Sequence, residues 1–275
     1  MTQKRAAFAL LYATLAWMSI TNAQWANAQW AKRVNDAVPR MPDGSPDLTA
    51  PAPRAADGKP NLSGMWLADA DPEFDVVTVE HNQFPRYFID ITGGAPPDAV
   101  PFQPWAEALL EERLERRGLD APTAHCRPTG FPWLATVPLP FKIVQTPELI
   151  LVLHEENSVF RQIFLDGREK MRDAVPRWMG YSTGRWEDDV LVVETTGFND
   201  RHWLDGMGHP NSDQLTVIER FRRTDAGHLE VEITIDDPGA YTRPITYTPT
   251  YTLQPDDDLL EYFCAENEKS SEHYR

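Results

Sequence analysis

Three charged residues interrupt apolar stripes in the second half of the chain. Side chains alternate across a β-strand, so residues two apart share a face. Val190, Val192, Glu194 and Thr196 share one such face; Leu215, Val217, Glu219 and Phe221 share another; Val159, Arg161, Ile163 and Leu165 share a third. A carboxylate buried without a partner is costly, and is normally paired or protonated. Glu194, Glu219 and Arg161 converging on an enclosed space would hold a polar ligand group. One glutamate would act as general acid while the other stays ionised, and Arg161 would bind an anionic or carbonyl oxygen. The plainer alternative is an Arg–Glu network that only fixes the fold.

The longest irregular stretch of this half runs from Gly197 to Asp213 and holds Asn199, Asp200, His202, Trp203, Asp205, His209 and Ser212. A polar, aromatic loop at a barrel end makes a lid or a mouth. His209 titrates near neutral pH and is the candidate acid–base helper. His202, Asp205 and His209 match no strong metal signature, and no metal is expected. Tyr181, Trp186, Trp203, Asp205 and His154 are candidate ligand contacts beside Arg161, although a core position is the default for His154. Aromatic walls suit a flat or apolar ligand. Gly180-Tyr181-Ser182-Thr183-Gly184 has the letters G-x-S-x-G, but a nucleophile elbow leads into a helix, and here a further strand follows. No phosphate-cradling or dinucleotide motif is present, so no cofactor is expected.

Strands must carry these groups, and the turn chemistry predicts them. Phe141–Gln145 leads through Thr146-Pro147-Glu148 to Leu149–Glu155, and Glu156-Asn157 turns the chain into Ser158–Leu165. Met179–Trp186 meets Asp189–Thr196, Leu215–Arg223 meets His228–Asp236, and Ile245–Leu253 meets Leu259–Cys264. Earlier strands are expected at Asn61–Trp66 and Arg86–Thr92, and one helix at Trp105–Arg117 closed by Gly118. Short strands at this spacing make an all-β domain rather than βαβ units. Sequential hairpins favour an antiparallel up-and-down barrel, in which closure removes exposed edges.

The chain has 275 residues, 41% hydrophobic and 25% charged, with a formal net charge of -16. Such an acidic chain repels phosphate backbones and anionic lipid, so no nucleic-acid partner is expected. Lys4 and Arg5, the apolar run Ala6–Ile20 and the small-residue sites at Ala23 and Ala26-Asn27-Ala28 have the order of a secretory signal peptide. The run falls short of the roughly 20 residues a membrane span needs. Residues 1–28 are therefore expected to be a leader, 29–60 a Pro-rich arm and 61–275 a single barrel domain in the periplasm or outside the cell, with no membrane insertion after cleavage. An oxidising compartment makes the two cysteines, Cys126 and Cys264, an expected disulfide.

Gly64-Met65-Trp66 resembles the G-x-W opening of lipocalin-like, calycin-type barrels. A wider set of stretches resembles an obscure family of exported bacterial proteins. They are Pro60–Trp66, Cys126–Gly130, Ile143–Pro147, Arg161–Arg168, Gly180–Trp186, Gly197–Asp200, Glu219-Arg220-Phe221 and Glu261–Cys264. The resemblance implies export and a β fold, and no activity. Relatives would carry a His-Pro shortly after the Asp-Gly-Arg run, where this chain has Glu169-Lys170-Met171.

Three functions fit these residues. The first is a cofactor-independent acid–base enzyme of lyase, isomerase or hydrolase type, acting on a small, partly apolar molecule. The second is a periplasmic binding or carrier barrel for a small hydrophobic ligand. The third is an envelope protein with a filled barrel.

Overall fold

A computed structural model describes residues 35, 37–69, 77–79, 82–84, 91–92, 99–169 and 175–266. The expected leader and most of the expected strand at 86–92 lie outside the described residues. The chain divides into two units, Met1–Asn35 with Asp256–Asp258, and Asp36–Pro255 with Leu259–Arg275. Everything below belongs to the second.

Among the described residues twelve strands follow in order: β1 (Gly64–Ala68), β2 (Val77–Val79), β3 (Asn82–Phe84), β4 (Phe141–Gln145), β5 (Leu149–His154), β6 (Phe160–Phe164), β7 (Tyr181–Glu187), β8 (Val190–Thr196), β9 (Thr216–Arg223), β10 (His228–Asp236), β11 (Ile245–Tyr247) and β12 (Thr250–Leu253). β2 and β3 form a hairpin of their own. The rest form a sheet that closes when β9 pairs with β10. The ring runs β10-β12-β1-β4-β5-β6-β7-β8-β9, and β11 lies alongside the far half of β10. The all-β, closed-barrel expectation holds.

A ring of nine strands cannot alternate in direction all the way round, because nine is odd. One neighbouring pair must run parallel, and it is β6 with β7. This is where the up-and-down pattern breaks. Parallel neighbours need a crossover rather than a tight turn, and the stretch from 165 to 180 supplies it. Only Ile163 opposite Ser182 and Phe164 opposite Thr183 hold the seam, whereas the β9–β10 ladder runs from Leu229–Arg223 to Asp236–Thr216.

The two ends of the barrel differ. At one end are the long excursion between β1 and β4, the β5–β6 turn, the arrival of the crossover at β7, and the β8–β9 and β10–β11 loops. The other end has tight turns, against which the Pro-rich arm is docked. There the amides of Gly227 and Ala226 donate to the carbonyls of Leu48 and Ala50, each at 2.7 Å. Arg54 also clasps Asp189 at 2.6 and 2.7 Å.

Two expected elements come out differently. Ile245–Leu253 is broken at Pro249, whose ring cannot donate a ladder hydrogen bond, so β11 and β12 pair with separate halves of β10. Leu259–Cys264 is no strand: Tyr262 makes one isolated bridge to Glu156, because β12 uses its free edge to close the ring against β1. The helix α1 (Pro104–Glu115) forms, but Ala106 is its one buried residue and Trp105 faces outward. No helix among the described residues is long and apolar enough to cross a membrane.

The G-x-W opening has a packing reason. At Gly64, where φ is +155°, a Cβ would sit 2.5 Å from Leu253 Cδ1, so a larger residue would push that side chain aside. The buried Trp66 indole donates to the Leu62 carbonyl at 3.0 Å, under the Arg223 guanidinium. Around it Ile143, Ile150, Ile163, Leu191, Val217 and Leu229 fill the barrel.

Candidate functional site

Arg161 on β6 and Glu219 on β9 meet inside the barrel, 4% and 1% exposed. The pairing is bidentate: Nη1 donates to Oε1 at 2.9 Å, and Nη2 to Oε2. Arg161 Nε also donates to Ser182 Oγ at 2.9 Å, and Nη2 to Thr195 Oγ1 at 2.7 Å. An arginine has five N–H donors, so one Nη1 hydrogen is left. Phe131, from the β1–β4 excursion, lies over the guanidinium at 4.0 Å and stacks on Phe198. The excursion thus seals the loop end above the ion pair.

Glu194 is not part of this group. Val193 stands opposite Glu219, and Glu194 opposite Ile218. The inward face of β8 is therefore Leu191, Val193 and Thr195, all buried, and Glu194 lies on the other face. The segment Val190–Val193 is apolar on both faces, and alternation alone cannot say which face is inside.

His209 also stands elsewhere. Its Nδ1 meets Asp205 Oδ2 at 2.6 Å, and its ring stacks on Phe102 in a buried setting. Asp205 Oδ1 accepts the amides of Met207, Gly208 and His209, and Oδ2 the amide of Ile91. Burial pushes the Asp205 carboxyl up, but His209 and these amides outweigh it and hold it below the usual carboxylate range. The pair caps its own loop rather than a mouth. Trp203 is buried against Trp133, with Arg113 over its ring. His202 is buried against Gly130 and donates through Nδ1 to the Asn199 carbonyl. Among the described residues no group of three or more His, Cys, Asp or Glu could hold a metal ion. Trp186 sits near the β7–β8 turn, at the opposite end from Tyr181.

His154 ends β5 facing the interior, its ring 5.5 Å from that of Phe141. Burial first, and the Arg161 charge second, push its pKa down from its ordinary 6.5 to about 3. Burial takes His202 to about 4. Both rings stay neutral in the fold, while the unfolded chain protonates them below about 6.5. The unfolded state then binds more protons, so stability is whole above pH 6.5 and falls as the pH drops toward 4 and then 3. Each ring contributes up to about 1.4 kcal/mol per pH unit. Urea titrations at stepped pH check this: His154→Leu should flatten the slope by one proton's worth, and an unchanged slope would refute the assignment.

The seam opens beside this cluster. Beyond the two paired positions the β6–β7 ladder ends, and a cavity of about 390 Å3 lies there whose lining includes Arg161. Phe160, Phe164, Trp178, Met179 and Tyr181 wall it, with Arg177 at its side. Gly180 makes the bend into β7: its φ is +61°, and a Cβ there would fall 2.6 Å from Thr195 and 2.9 Å from Phe198. Of the sequence candidates, Arg161 and Tyr181 come together here. Phe160 and Arg177 were not singled out. Phe160 stood on the polar-looking face of its strand, and 57% exposure of so large an apolar ring is the signal that marks it. No family model, curated protein or solved structure matches this chain.

Proposed function

We propose that this chain is a binding or carrier barrel for a small, flat, mostly apolar molecule bearing a carbonyl or carboxylate oxygen, held in the β6–β7 seam. The observation that carries this is the aromatic-walled cavity whose lining includes Arg161 and Arg177. Its volume lies within the range of small-molecule sites, and a largely aromatic lining carries only a few polar groups. The Arg177 guanidinium would meet the oxygen, and Phe160, Trp178 and Tyr181 the flat body. Acid–base catalysis fits less well, because both Glu219 oxygens are held by Arg161 and neither Glu194 nor His209 shares the cavity. The Cys126–Cys264 bond supports the exported address, since disulfides persist in oxidising compartments.

Calorimetric titration with 2-naphthoate tests the proposal. Saturable binding is expected, weakened at least about ten-fold in Phe160→Asp, which places a carboxylate at the exposed rim and disturbs no core packing; ten-fold is about 1.4 kcal/mol. Equal affinity in wild type and variant would remove the seam as the site.

A further inference from the structure

A second cavity, of about 280 Å3, lies on the other side of the β5–β6 turn, between the β1–β4 excursion and the C-terminal segment. Trp133, Val137, Leu139 and Tyr262 give it an aromatic and aliphatic lining. One acidic group faces it, Glu156, only 6% exposed. Glu156 Oε1 accepts from Thr129 Oγ1 at 2.9 Å and from Asn157 Nδ2 at 2.8 Å. Its Oε2 is buried and has no hydrogen-bond partner among the described residues. A buried carboxylate oxygen left this way is costly.

We propose that this cavity is a site for a small organic ammonium, whose N–H binds Glu156 Oε2 and whose apolar body fills the space against Trp133 and Tyr262. A cation supplies both things the carboxylate lacks, a counter-charge and a donor, and a charge-assisted hydrogen bond is about twice as strong as a neutral one. Aromatic faces attract cations. The net charge of -16 favours the approach of a cation. Burial raises the Glu156 pKa, and a cation bound beside it would draw it back down. Neutral alcohols would offer a donor without the charge and should bind more weakly.

The outer wall of the site is tied on by the disulfide. Cys264 and Tyr262 line the cavity, and Cys264 is bonded to Cys126 on the excursion. The Cys264 amide donates to Asn157 Oδ1 at 3.3 Å, and the same Asn157 holds Glu156 Oε1 through its amide nitrogen. The carboxylate and its wall are therefore positioned together, independently of the seam.

The test uses the oxidised full chain and benzylammonium, with benzyl alcohol for comparison. Calorimetry should show saturable benzylammonium binding, weakened at least about ten-fold in Glu156→Gln, with little change for benzyl alcohol. Leu139→Trp fills the cavity and leaves the carboxyl, and should abolish binding as well. 2-Naphthoate binding at the seam should be unaffected by either substitution, so failure here is distinct from failure of the proposal above. No binding to the wild type, or equal binding in both variants, would overturn the site.

Discussion

Glu219→Leu, made alone, should lower the unfolding free energy by about 3–5 kcal/mol. The reason lies in what the substitution leaves behind. Arg161 is 4% exposed, sealed beneath Phe131, and without Glu219 its charge loses the carboxylate that pairs with it. Ser182 and Thr195 still accept from it, but neutral hydroxyls do not replace a bidentate carboxylate. Removing both charges, as in Arg161→Met with Glu219→Leu, should recover most of the loss, because desolvating two charges consumes much of what their attraction returns. Urea denaturation of the four proteins in the double-mutant cycle measures the coupling. A single-substitution loss under about 1 kcal/mol would show that water reaches the pair. It would also reopen Glu219 as a group free to move protons.

Removing the disulfide with Cys126→Ser and Cys264→Ser should cost about 2–5 kcal/mol. The bond closes a loop of 138 residues, so the unlinked unfolded chain gains much freedom. The folded side loses too. The segment around Tyr262 belongs to no strand and is held by one isolated bridge, the Asn157 contact and the bond itself. The wall of the Glu156 cavity should therefore loosen before the barrel melts. Denaturation of oxidised and serine forms reads the first effect. Hydrogen exchange at Tyr262 and Cys264, measured under native conditions, reads the second. A serine form as stable as the oxidised protein would mean that the chain is already compact around this loop when unfolded.

Much of the barrel was legible because its strands are joined by short, polar turns. Glu187-Asp188 and the Thr224–Gly227 stretch mark their hairpins directly, and the ladders β7–β8 and β9–β10 follow. What reads poorly is anything fixed by ring closure. The face of β8 that turns inward is set by its neighbours, since Val190 to Val193 would pack either way, and so Glu194 was placed inside when Thr195 is. The parallel seam depends on the strand count, which no local pattern records. Its cleft is built from Phe160, Trp178 and Tyr181, brought together by a crossover. Glu156-Asn157 has the letters of a solvated turn and acts as one between β5 and β6. Its burial comes from the excursion and the C-terminal segment folding over it, contacts far away in sequence. His209 and Asp205 had the right types for chemistry, and the loop uses them to satisfy its own backbone.

The most direct test of the seam as a ligand site is amide chemical-shift mapping of the labelled protein during titration with 2-naphthoate. Shifts should concentrate at Ser158, Gln162, Met179 and Gly180, which line the opening between β6 and β7. Shifts confined to the tight-turn end of the barrel, or none at saturating ligand, would contradict a binding function at the seam.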